Sequence, residues 1–244
     1  MRSLLLALAF VLSGTIAFAQ DNKQVEEPKP KKDWSKVDLG KRAADHFMLQ
    51  FGYFGWSGAP DSLNFTGFSR SFNMYLLFDF PFKSNPHISV AIGPGFGSDH
   101  LFFKETSIDI KNRKEIEFNR DTVVKYKKYK LAQGWFEVPI ELRWSANPAN
   151  MNKGFKFAIG GKVGTLLDAR TKAKVDLDKD GDGGYIEKIK SKAVFNGTRL
   201  SAIARVGFGN LSIFGSYTIS EVFKEGQGPL GIRPYSVGLV FSGL

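Results

Sequence analysis

The chain has 244 residues, no cysteine and a formal net charge of +10. The missing cysteines exclude a lipidated N-terminus, disulfide staples and thiol chemistry. Twenty-three phenylalanines sit in a chain whose mean hydropathy is only −0.18, so its apolarity is spread as alternation rather than as long runs.

Residues 1–19 read as a secretory signal. Arg2 supplies the positive n-region, Leu4 to Leu12 the apolar h-region, and Ala17-Phe18-Ala19 the small-x-small cleavage site. The apolar run is too short to span a bilayer as a helix, and no later stretch reaches ~18 uninterrupted apolar residues. Removing the signal leaves about 225 residues, within the ~200–250 that one barrel domain uses. The charge falls only to +9, because only Arg2 is lost. Export argues against nucleic acid as the partner of this basic balance. The cations also cluster in predicted loops and in the N-terminal segment, not on a groove-reading helix.

Residues 20–44 are polar, charged and proline-bearing, which predicts an extended or disordered extension. Lys29, Lys31, Lys32 and Lys36 cluster around Pro28, Pro30 and Trp34. Such a peptide is a solvated tether, or a docking motif for an acidic periplasmic surface.

From residue 45 to 244 the sequence alternates apolar and polar residues in eight segments, the period of a strand with two different faces. The predicted strands are 46–56, 69–82, 87–101, 129–144, 155–168, 192–207, 211–222 and the C-terminal segment. The second is the clearest: Phe72, Met74, Leu76, Phe78 and Phe80 oppose Ser71, Asn73, Tyr75, Leu77 and Asp79. In the last, Tyr235, Val237, Leu239 and Phe241 alternate with Ser236, Gly238, Val240 and Ser242. Pro94-Gly95 marks a bend in the third. Short turns follow strands two, four and six; longer loops follow strands one, three, five and seven. Residues 102–128 read as a long loop or a hairpin standing above the barrel, and 169–191 as a second charged loop. The fold class is therefore all-β, an eight-stranded antiparallel transmembrane β-barrel of the outer membrane, with long external loops, short periplasmic turns and both termini periplasmic.

Eight strands leave an interior that side chains can fill. The predicted inward set is Asp79, Glu137, Glu141, Arg143, Lys156, Lys162, Arg199 and Arg205, whose opposite charges should pair across the lumen. A wide diffusion channel is not expected.

Candidate chemistry is sparse. Asp178, Asp180, Asp182 and Gly183 copy the start of a calcium loop. The closing bidentate Glu is replaced by Ile189, and Glu187 comes too early, so an acidic hairpin tip is the expected reading. Ser98-Asp99-His100 sits where a lipid-modifying enzyme would place its groups, but neighbours on a strand point to opposite faces and cannot form a triad alone. His46 and His87 lie near the other end. No catalytic, cofactor-binding or metal residues are assigned. The sequons at Asn64-Phe65-Thr66 and Asn196-Gly197-Thr198 read as chance. The basic run Lys125-Tyr126-Lys127-Lys128-Tyr129-Lys130 is a solvated rim, or a partner for lipopolysaccharide phosphates.

The segments GFSRSFNMYLLFDFPF (67–82), IGPGFGS (92–98), WFEVPIELRW (135–144) and FKFAIGGKVG (155–164) together resemble the PorT-like outer-membrane β-barrel family of Bacteroidota. The resemblance spans most of residues 45–244 and implies an outer-membrane barrel. Some members are associated with type IX secretion. The expected function is thus a non-enzymatic accessory or anchor for envelope machinery, with periplasmic or secretion-machinery proteins as partners. The alternatives are a structural or surface-interaction barrel and, behind it, a lipid-modifying enzyme.

Overall fold

The computed structural model describes residues 42, 44–60, 63–65, 68–104, 106–111, 116–119, 126–175 and 185–243. The signal segment, nearly all of the N-terminal extension and the Asp178/Asp180/Asp182 stretch lie outside the described residues. No helix occurs among the described residues.

Eight antiparallel strokes close into a ring. They are β1 (Phe47–Ser57); β2 (Arg70–Leu76) continued by β3 (Phe78–Pro81); β4 (Ile88–Ile92) continued by β5 (Gly95–Phe103); β8 (Tyr126–Ser145); β9 (Phe155–Val175); β11 (Thr198–Phe208); β12 (Leu211–Thr218); and β13 (Arg233–Ser242). Pairing of β1 with β13, from Met48 opposite Ser242 to Ser57 opposite Arg233, closes the sheet on itself and removes its edges. Two shorter elements, β6 (Ser107–Asp109) and β7 (Glu117–Asn119), form a separate hairpin, and β10 (Tyr185–Lys190) adds to the upper part of β9.

The alternation explains the placement. Phe72, Met74, Leu76, Phe78 and Phe80 are exposed on the outer wall, while Ser71, Asn73, Tyr75 and Leu77 are buried. This parity runs unbroken through the gap at Leu77, so β2 and β3 are one stroke. The gap faces a second one at Gly93-Pro94: the Leu76 N–H bonds to the Pro94 carbonyl at 2.9 Å. Leu77 and Ala91 are fully buried there.

Three features differ from the sequence reading. First, β8 begins at Tyr126 and β9 runs to Val175, well into the expected loops. Gly134 pairs with Asp168 and Trp135 with Leu166, leaving Leu167 as an extra residue. That bulge reverses the parity of β9: Val163 and Leu167 face out below it, whereas Ala169 and Ala173 are buried above it. Second, β10 pairs with this upper part, Lys188 opposite Lys172, so 169–191 contains a hairpin rather than only a loop. Third, β11 starts at Thr198 and not near 192, because the preceding residues turn and Phe195 bridges to Phe223. The chain termini of the ring and the short turns share one end, the turn end; β6, β7 and β10 lie at the other, the loop end. Gly209, at a φ of +59°, lets Gly209-Asn210 reverse β11 into β12.

Candidate functional site: the lumen and its apolar cap

The lumen is filled by charge pairs. All eight residues expected to face inward do so. Glu137, Glu141, Arg143, Lys156, Lys162, Arg199 and Arg205 are at most 5% exposed, and the Asp79 side chain is 1% exposed. Asp45 and Asp99 complete the carboxylates and Arg42 the cations, giving five carboxylates against six cations.

They fall into two groups. Nearer the loop end, Glu137 receives bonds from Arg199 Nε (2.7 Å), Lys162 Nζ (3.1 Å) and the Tyr75 hydroxyl (2.5 Å). Arg199 also donates to Asp99 at 2.6 Å and lies 4.2 Å over the Trp135 ring. Nearer the turn end, Glu141 accepts from Arg143 Nε (2.9 Å) and from Arg205 Nη2 (3.1 Å). Asp45 takes Lys156 and Arg205, each at 2.7 Å. Asp79 pairs with Arg42 and Arg143 and accepts from Ser89 Oγ at 2.6 Å. Buried charge is tolerated only when paired and hydrogen-bonded, and here each carboxylate is. Burial opposes ionisation of Asp45, which precedes β1. The cations of Arg205, Lys156 and Arg143 outweigh it and hold that carboxyl at about 2.

Met48, Tyr75, Leu77, Ala91, Phe214 and Val240 form a small apolar cluster in the lumen, with Ala91 opposite Glu141 and Phe214 opposite Arg205. Two cavities in the lumen hold about 10 Å³ each, one beside Asp99 and Arg199, the other beside Glu141 and Arg205. A single water needs ~10–15 Å³, so neither extends into a channel.

The loop end is closed by a cap the sequence reading did not contain. Trp56 meets Phe65, Phe103 and Phe223 edge-on, at ring separations of 6.3, 6.1 and 5.7 Å. Ile108 of β6, Leu131, Trp135 and Leu166 of the wall, and Phe195 join the same cluster. The Tyr129 hydroxyl pins β6 by accepting from the Ile108 N–H and donating to the Ile108 carbonyl. Charge dominates the local composition of these loops, which masks the few apolar residues that fold inward.

Asp45, Asp99 and Arg42 were missed as lumen residues, whereas Tyr75 lies on the inward face that the alternation of the second strand assigned to it. Alternation assigns faces only inside a strand, and Asp45 and Arg42 precede the first one. The extension was given all of 20–44, yet Arg42 and Ala44 are buried in the barrel's turn end. Asp99 is inside, while Ser98 and His100 face out, with Ser98 Oγ 3.2 Å from His100 Nε2. The three groups therefore do not converge. His46 and His87 sit at the turn end, where their Nδ1 atoms lie 2.9 Å from the Leu77 carbonyl and 2.7 Å from the Ser145 carbonyl. Among the described residues no group of His, Asp or Glu is spaced to hold a metal ion.

The solved structures similar to this chain include two of one protein. One is Ail, the attachment invasion locus protein of Yersinia pestis, at 15% identity and a TM-score of 0.34, covering 81% of this chain and 99% of that one. The other is Ail in complex with the heparin analogue sucrose octasulfate, at 14% identity and a TM-score of 0.32, covering 80% of this chain and 96% of that one. No curated protein matches the sequence. The family model of the outer membrane protein beta-barrel domain matches residues 18–222, most of the chain, and together with the closed ring of strands it shows that the chain belongs to that outer-membrane family.

Proposed function

We propose that this barrel is a non-conducting, non-enzymatic accessory or anchor for envelope machinery, acting through its surfaces rather than its interior. The observation that carries the reading is the lumen. Among the described residues, paired charges fill the barrel and aromatic residues cap it without leaving a path for solute, so the work falls to its two ends and its outer wall. The signal at 1–19 and periplasmic termini belong to the proposal. So does the partner class: periplasmic or secretion-machinery proteins, with type IX secretion as the case implied by the PorT-like resemblance. Arg42 and Asp45 support it, because their ion pairs anchor the end of the extension inside the turn end. Pull on the extension is then resisted by the barrel core.

The test is a deletion of residues 22–40 that keeps the cleavage site. The barrel should still assemble and migrate heat-modifiably, while recovery of periplasmic proteins by mild-detergent affinity isolation should fall. Unchanged recovery would reduce the segment to a tether. A surface-interaction role is a second reading, favoured by the wall of β8, β9 and β10 that rises at the loop end.

A further inference from the structure

The outer face of that wall carries a cross-strand row of ammonium groups. Lys130 of β8 stands directly opposite Lys172 of β9, and Lys172 directly opposite Lys188 of β10. One row lower, Arg170 stands opposite Lys190, with side chains 58% and 72% exposed. The opposite face of the same strands buries Leu131, Ala169 and Ala173, so these cations point away from the barrel. Like charges directly opposite on a sheet are destabilising. Asp168 serves the lower row, 2.8 Å from Lys190 Nζ and 3.5 Å from Arg170 Nε. Among the described residues no carboxylate comes within ion-pair distance of Lys172 or Lys188.

The height of the row identifies what would neutralise it. The outward series on β8 runs from Trp144 through Leu142, Ile140, Val138 and Phe136 to Gly134. Those ten steps span about 34 Å of strand, or about 26 Å along the barrel axis at a tilt of ~40°, against an apolar band of ~25 Å in barrels of this kind. The next outward position, Ala132, is level with Arg170 and Lys190, and the Lys130–Lys172–Lys188 row follows. The cations therefore begin where hydrocarbon ends and headgroups start. Across the ring, Tyr53, Tyr217 and Tyr235 take outward positions at the loop-end border, as aromatic residues do at a membrane interface, with single cations Arg70 and Arg233 beside them rather than a row.

We infer that the outer face of β8, β9 and β10 is a binding site for phosphate groups of lipid headgroups in the leaflet at the loop end. Ammonium groups make charge-assisted bonds to phosphate oxygens, and a phosphate between Lys172 and Lys188 relieves their mutual repulsion. The inference uses the proposed orientation, with the loop end external, but not the accessory role. It moves the phosphate contact from the Lys125–Lys130 run to a flat three-stranded surface.

The test uses the full mature chain in detergent, titrated with diphosphoryl lipid A, with the dephosphorylated form of that lipid, and with inositol hexakisphosphate, read by native mass spectrometry. The wild type should prefer the diphosphoryl lipid over the dephosphorylated one. Each lysine removed should weaken it roughly fivefold, so Lys172→Gln with Lys188→Gln should lose roughly 25-fold. A Lys83→Gln/Lys153→Gln control at the turn end should bind like the wild type. Heat-modifiable migration checks that each variant is folded, and the exposed Lys190→Gln, expected to lose roughly fivefold, serves if the double variant does not assemble. Equal binding of both lipids by the wild type, or a double variant that binds like the control, would overturn the site. Displacement of the lipid by inositol hexakisphosphate at equal phosphate concentration would assign the row to a soluble polyanion instead and overturn the lipid assignment.

Discussion

Asp45 and Arg205 stand 160 residues apart in sequence and 2.7 Å apart in space. The contact ties the chain's entry into β1 to β11 on another part of the wall, and Arg205 reaches on to Glu141 of β8. Replacing Arg205 with Met removes one cation from two buried carboxylates. Breaking a buried ion pair by removing one partner costs ~3–5 kcal/mol, and the lower end is expected because Asp45 keeps Lys156 and Glu141 keeps Arg143. Urea unfolding in detergent micelles should show a loss of about 3 kcal/mol. A loss under about 1 kcal/mol would mean that the pair only offsets its own desolvation.

Asp45 also sets an acid limit. Its carboxyl is held at about 2, below the ordinary 3.8 of the unfolded chain. A depressed carboxylate contributes stability that is full above the unfolded value and is lost as pH falls through the folded one. The window is therefore about pH 4 down to about pH 2, and the contribution about 2 kcal/mol. Asp45→Asn should flatten the stability profile across that window. A profile that keeps the wild-type slope would assign the acid response to other carboxylates.

How much of this was legible in the sequence depended on whether alternation held. It held through β2, β3, β11 and β13, so their outward rows and the inward Arg199 and Arg205 could be read directly. At Leu167 a single bulged residue swaps the faces, and Arg170, Lys172 and Lys174 then look like loop charges although they are the outer face of a strand. The cap was hidden for a different reason. Trp56 comes from the end of β1 and Ile108, Phe195 and Phe223 from three separate connections, and nothing local in any of them announces that they meet. Asp45 was hidden because it lies outside the periodic segment, and only the fold brings it to Lys156.

Gly93 offers a test of the paired breaks. A Cβ placed there would lie 1.9 Å from the Leu76 carbonyl oxygen, which is backbone and cannot swing away. Gly93→Ala must therefore displace the β2–β3 junction or the Pro94 junction beside it. The expected cost is ~1–3 kcal/mol, the range for overpacking a tight interior. The measurement is the urea midpoint of the refolded barrel, with heat-modifiable migration to show assembly. A midpoint equal to that of the wild type would show that the junction is slack.

The closed interior makes the last prediction, and it separates two barriers. The cap blocks the loop end, and the Glu137–Arg199–Lys162 group blocks the lumen beneath it. In planar bilayers the wild type should give no stable conductance steps. Trp56→Ala should loosen the cap at a local cost of ~3–5 kcal/mol, seen as faster protease cleavage in the loops, because three aromatic partners lose their common ring. It should still not conduct, since the charge pairs below remain. Conductance should require Glu137, Lys162 and Arg199 to be replaced by Ser together on the Trp56→Ala background, a change that opens the cap, removes both signs and leaves no buried charge unpaired within that group except Asp99. Adding Asp99→Asn covers that exception. Steps in Trp56→Ala alone would place the barrier in the cap; silence in the quintuple variant, if it assembles, would place it in the apolar cluster around Phe214 and Tyr75.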